Sequence, residues 1–162
     1  MVSDEVKLLR MVWHPADFEG GELVGSAFES ADLRPDNDQD GLPRYLSSDR
    51  RDYLRKDSID SRITYQQRDG RDVEQRKSEA HFVEFKVGTL RQAADDAGAR
   101  PFGITSEPII PENPGHCAIR NVSGKGASRK SKADKQYIEE LRSMLLEKKL
   151  AVWGYADLFP PQ

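Results

Sequence analysis

The sequence predicts an α+β fold: one small domain spanning 1–162, with a mainly antiparallel sheet and two helices packed on one face. Three observations carry this. Residues 81–87 alternate apolar and polar side chains with a period of two. A capped helix follows at once, and residues 133–150 carry an apolar stripe at helical spacing. A chain of 162 residues with 36% hydrophobic residues points to one domain rather than two and is long enough to bury one modest core.

The first element is a mostly buried strand over 6–13, apolar at Val6, Leu8, Leu9, Met11, Val12 and Trp13. His14-Pro15 stops it, because a residue before proline is pushed out of the α region. Gly20-Gly21 marks a turn, and 23–28 is a second short element. Region 29–80 reads as loop-rich and charged. It opens on an acidic loop at 35–41, and 44–77 then interleaves eight arginines with acids around sparse apolar residues. Tyr53-Leu54 anchors a short helix starting near Ser48, 62–66 reads as an exposed strand, and 66–79 as a loop or mobile hairpin tip.

In the strand at 81–87, Val83, Phe85 and Val87 share one face, and Phe82, Glu84 and Lys86 the other. Thr89-Leu90-Arg91-Gln92 matches a capping box. The helix it opens should run through Ala97 and end at Gly98, with Leu90, Ala93, Ala94 and Ala97 as its packing face. Four prolines make 101–114 an extended connection, with edge-strand character at 102–104 and 109–110. Residues 116–122 read as a strand and 123–132 as a flexible basic loop. The helix at 133–150 has acids early and lysines late, as its dipole favours. The tail, 151–162, is aromatic and ends near Pro160-Pro161.

A net charge of −3 excludes a protein that coats nucleic acid by bulk charge. One cysteine, Cys117, excludes an intrachain disulfide framework, and 1–5 lack the pattern of a signal peptide, so the cytoplasm is the expected location. No stretch is apolar enough for a membrane span, and no cofactor or metal is expected. The segment 36–41 matches the first half of a calcium loop, but Ser47 stands where the bidentate Glu belongs and Pro43 interrupts the second half.

Three candidate sites remain. Between Arg120 and Lys135 six bases face one acid, so Lys125, Arg129, Lys130 and Lys132 are the candidates for holding phosphate, beside a glycine-flanked turn and a helix N-terminus. The spacing is not that of a Walker A loop. His14, Asp17 and His116 are the candidate catalytic groups: Asp17 comes within reach of His14 where the chain turns. His116 and Cys117 form no dyad on a strand, where neighbours point to opposite faces. Trp153, Tyr155 and Phe159 are the candidate partner-binding residues, unless the tail folds back over its own sheet, which a chain this poor in apolar residues favours.

The expected function is that of a non-enzymatic binding or accessory protein, working through protein contacts of the aromatic tail and the charged middle segment. The alternative is an enzyme or sensor for a phosphorylated or nucleotide-like ligand held by 120–135, with His14 or His116 as acid or base. Regulatory nucleic-acid binding through the same loop ranks third, because the rest of the chain is acidic.

Overall fold

A computed structural model describes residues 1–66 and 72–162. Its centre is a six-stranded sheet built from β1 (Lys7–Trp13), β4 (Leu46–Arg50), β5 (Ala80–Lys86), β6 (Phe102–Ser106), β7 (His116–Asn121) and β8 (Ala151–Gly154). The spatial order is β6-β7-β4-β1-β5-β8, and every neighbouring pair is antiparallel. A two-stranded hairpin, β2 (Phe18–Glu19) and β3 (Glu22–Leu23), stands apart from it. Gly20 and Gly21 turn that hairpin at φ values of 57° and 82°, a region costly for any residue with a Cβ. The α+β class and the mainly antiparallel sheet are as the sequence predicts.

Side chains alternate across the sheet, and the two faces differ. One face carries Leu8, Val12, Leu46, Val83, Phe85, Phe102, Ile104, Cys117 and Ile119. It is covered by α3 (Val87–Gln92) and α4 (Lys132–Lys148), with Phe28 and Leu33 entering from 3-10 turns. These are the two expected helices, packed on one face. The opposite face carries Leu9, Ala80 and Phe82, covered by Ile59 and Ile63 of α1 (Lys56–Gln66). Leu158 of α5 (Tyr155–Leu158) packs there too, and α2 (Val73–Glu79) lies against α1 and α5. This second cover is the main departure from the sequence reading.

Several boundaries are corrected. The helix after β5 starts at Val87 and ends at Gln92, so Thr89 lies inside it and the capping box is not used. Ala94 and Ala97 are consequently exposed. Asp95 is instead buried, its carboxylate accepting from the N–H groups of Ala97 and Ala99 at 3.0 and 2.9 Å. That local bonding competes with helix continuation, as Asp side chains commonly do. Segment 29–80 is richer in structure than its composition indicates. The expected helix start at Ser48 is the middle of strand β4, and the expected exposed strand at 62–66 is the C-terminal part of α1. Ile59 and Ile63, four apart, give α1 one buried edge on an otherwise polar helix. Within the expected loop at 66–79, Asp72 caps α2 by accepting from the Gln75 N–H at 2.7 Å. The remainder of that expectation, 67–71, lies outside the described residues. Residues 109–110 form no strand, only a bridge from Ile109 to Asn113.

Candidate functional site

Between β6, β7 and β4 the α1-side face is polar, and that half of the face holds a cleft of about 760 Å³. Ser47 and Asp49 come from β4. His116 comes from β7, two residues from Ala118, which stands opposite Ser47 in the ladder. Arg62 and Ser58 descend from α1, and Asn113 from the loop joining β6 to β7; all line the cleft except Asp49, which lies beneath Arg62 and Asn113.

His116 is 5% exposed and both its ring nitrogens are engaged. Nδ1 lies 3.0 Å from the Glu107 carbonyl oxygen, and Nε2 lies 2.9 Å from Ser47 Oγ. A carbonyl oxygen can only accept, so Nδ1 carries the hydrogen. In the neutral ring Nε2 is then bare, and the Ser47 hydroxyl donates to it. A backbone group thus fixes the tautomer in which His116 can take a proton from Ser47. The Tyr45 ring meets the imidazole edge-on at 5.7 Å, and the Arg120 guanidinium stands over Tyr45 at 5.7 Å. Arg120 also donates to Thr105 Oγ1 at 2.9 Å and to Glu107 Oε1 at 2.6 Å, tying the Glu107 segment to β7.

Ser47 is held from behind. β1 and β4 pair only at Leu8–Arg50 and Leu9–Asp49 and then diverge. The Arg10 side chain fills the gap, donating to the Ser47 carbonyl oxygen at 3.0 Å and to the Ala27 carbonyl oxygen at 3.2 Å. Burial pushes the Arg10 guanidinium below its ordinary pKa, opposed by the charges of Asp32, Asp17 and Glu29. On the open side of this gap lies a second cleft, of about 430 Å³, which Ser47 and Arg62 line as well. Asp49 ties the assembly together: it pairs with Arg62 Nη1 at 2.9 Å and accepts from Asn113 Nδ2 at 2.5 Å. Arg62 Nε is buried without a hydrogen-bond partner. At the rim, the hydrogen bond from Arg55 holds the Asp57 carboxyl below the usual carboxylate range.

The other sequence candidates do not assemble into sites of this kind. His14 lies against Phe18 and His81, with ring centroids 5.2 and 5.6 Å away. The chain turns after it as expected, but Asp17 accepts from the Trp13 N–H at 2.8 Å and from Ser26 Oγ at 3.4 Å and forms no bond with His14. Of the four loop bases, Lys125 points to Asp95 at 3.9 Å and over the Tyr137 ring. Arg129 lines a separate groove with Arg34 and Lys135, while Lys130 and Lys132 are exposed. The N-terminus of α4 is occupied from within: Ser131 accepts from the Asp134 N–H at 3.3 Å, and Asp134 accepts from the Ser128 N–H at 3.0 Å. The tail folds back. Trp153 pairs with Phe82 in strand β8, and Trp153, Tyr155 and Phe159 pack partly buried against the second core.

Cys117 is fully buried on the opposite face from His116, and burial pushes its thiol up to about 11. In the acidic loop, Asp36 pairs with Arg34 at 3.2 Å, and Asp38 accepts from the Asp40 and Leu42 N–H groups, both at 2.9 Å. Both Asp36 oxygens and Asp38 Oδ1 are thus already engaged. Among the described residues no group of three or more His, Cys, Asp or Glu side chains is arranged to hold a metal ion, and no helix is long and apolar enough to cross a membrane.

Sequence reasoning singled out His116 and missed Ser47, Arg62 and Asn113. The one local signal was alternation in 46–49, where Leu46 and Ser48 face one way and Ser47 and Asp49 the other. The pairing that brings Ser47 to His116 spans 69 positions and has no local mark. No protein-family model matches the chain, and neither a curated protein nor a solved structure is detectably similar to it.

Proposed function

We propose that this chain binds a small polar ligand in the cleft above Ser47 and His116. One observation carries the reading: the Ser47–His116 hydrogen bond, with its tautomer set by the Glu107 carbonyl, opens onto a cleft of the size small-molecule sites have. Arg62, with an unpartnered buried Nε, and Asn113 add oriented donors beside it. Apolar Ile109, Pro111 and the Tyr45 ring line the same cleft, the mixture by which pockets combine affinity with orientation. This reading replaces the protein contacts of the tail and charged middle segment, expected from sequence, with a small ligand held in the cleft. Trp153 and Phe159 are partly buried in their own domain, which withdraws much of the surface a docking tail needs.

The test is a ligand screen of small carboxylates, esters and phosphates, read by the ring ¹⁵N resonances of His116 and by thermal shift. Binders should move the His116 ring signals and lose their effect in Arg62→Met. Binders that move only signals of 125–132, or act equally on Arg62→Met, would overturn the reading in favour of the basic loop.

A further inference from the structure

We infer that Ser47 is a nucleophile that accepts an acyl group from an ester bound in the cleft, with His116 as its base. The inference rests on the cleft being the ligand site and goes beyond binding. A serine hydroxyl is a poor nucleophile until a neighbouring base removes its proton, and the base must present a bare nitrogen to it and be held in place. All three conditions are met by different segments. Ser47 Oγ lies 2.9 Å from His116 Nε2, the Glu107 carbonyl accepts from Nδ1–H at 3.0 Å, and Arg10 holds the Ser47 carbonyl from the far side. A backbone carbonyl here takes the orienting role that a carboxylate takes in Ser-His-Asp triads. Asp49 does not fill that role, because its two oxygens are engaged by Arg62 and Asn113.

The chemistry balances with water as the one co-reactant. Ser47 Oγ attacks the ester carbonyl carbon as its proton passes to His116 Nε2, and the carbonyl oxygen becomes an oxyanion. Arg62, which lines both clefts that meet at Ser47, supplies positive charge for that oxyanion. The tetrahedral centre collapses, the C–O bond to the alcohol breaks, and His116 returns the proton to the departing oxygen. Water then attacks the acyl-serine as His116 takes its proton; the acyl–Oγ bond breaks, His116 returns that proton to Ser47 Oγ, and the acid leaves. Because Ser47 and Arg62 border both clefts, the acyl and alcohol arms have separate places to lie, one on each side.

The probe is p-nitrophenyl acetate, with release of p-nitrophenolate followed by absorbance and the protein by intact mass and peptide mapping. Expected is one acetyl group per chain on Ser47, no labelling of Ser47→Ala at that peptide, and about 10²–10⁴-fold slower acylation in His116→Gln. Should Ser47→Ala disturb the fold, Ser47→Cys keeps the site falsifiable, since its thiol should be acetylated faster than the buried Cys117 in the same molecule. Equal p-nitrophenolate release from wild type and Ser47→Ala, or acetyl found only on lysines, overturns the inference. N-phenylacetamide, an unreactive analogue, separates the two readings. Movement of the His116 ring signals by this analogue, with no acylation of Ser47 by p-nitrophenyl acetate, leaves the cleft as a binding site and refutes the nucleophile, whereas neither response refutes both for this class of ligand.

Discussion

Asp49→Asn tests whether the cleft floor is held by one shared carboxylate. Asp49 is 6% exposed and joins Arg62 of α1 and Asn113 of the β6–β7 loop to strand β4. The substitution keeps the shape and removes the charge. Fully exposed ion pairs contribute about 0.2–1 kcal/mol, while breaking a buried one costs about 3–5 kcal/mol. The Arg62 side chain is 31% exposed, so water screens part of its loss and places the cost at about 1–3 kcal/mol. For a chain of this size that lowers Tm by about 2–4 °C per kcal/mol. Urea denaturation of Asp49→Asn, Arg62→Met and the double variant would give the coupling, expected near 1 kcal/mol. Effects that add to within about 0.5 kcal/mol would refute the reasoning, since residues in real contact share their energy.

Two further outcomes follow from the same structure. Trp153→Ala should lower stability by about 2–3 kcal/mol, below the cost of a fully buried tryptophan because Trp153 is half-buried between Phe82 and the Arg51 guanidinium; an unchanged circular-dichroism melt would show that the tail is not part of the core. Asp95 is held below the usual carboxylate range, chiefly by the Tyr137 hydroxyl donating to it at 2.8 Å. A carboxyl depressed in the folded state adds stability above its unfolded pKa, near 4, and loses it as pH falls through the lower folded value. Wild-type stability should therefore drop more steeply than that of Asp95→Asn in acid below about pH 4, and parallel pH curves would count against this.

The sequence was legible where the hydrophobic pattern decides the structure. Alternation in β5 and the stripe of α4 name the elements and the side that faces the core, because burial there is set by local period. β1 was legible as buried for the same reason. β4 was not, although it lies in the middle of the sheet. Its sequence, Leu-Ser-Ser-Asp-Arg, holds one apolar residue, and its polar side chains are satisfied by partners far along the chain: His116 for Ser47, the Cys117 carbonyl for Ser48, Arg62 and Asn113 for Asp49. Composition assigns such a segment to a loop leading into a short helix near Ser48, since nothing nearby in sequence compensates its polar groups. The helix α1 was hidden in the same way, with Ile59 and Ile63 as its buried residues among those whose side chains are described.

By itself the sequence determined the fold class, the positions of β1, β5, β7 and α4, and His116 as a group worth following. It also determined that His116 and Cys117 point to opposite faces, because adjacent residues on a strand always do. Only tertiary structure decided what His116 meets. The antiparallel register of β4 against β7 places Ser47 within hydrogen-bonding distance, and the return of the chain at Glu107 fixes the imidazole tautomer. It also decided that the tail closes the second core and that the loop bases stand apart. The physical reason is one of range. Secondary structure follows periods of two to four residues, whereas a site is a meeting of side chains whose partners are set by strand order and register.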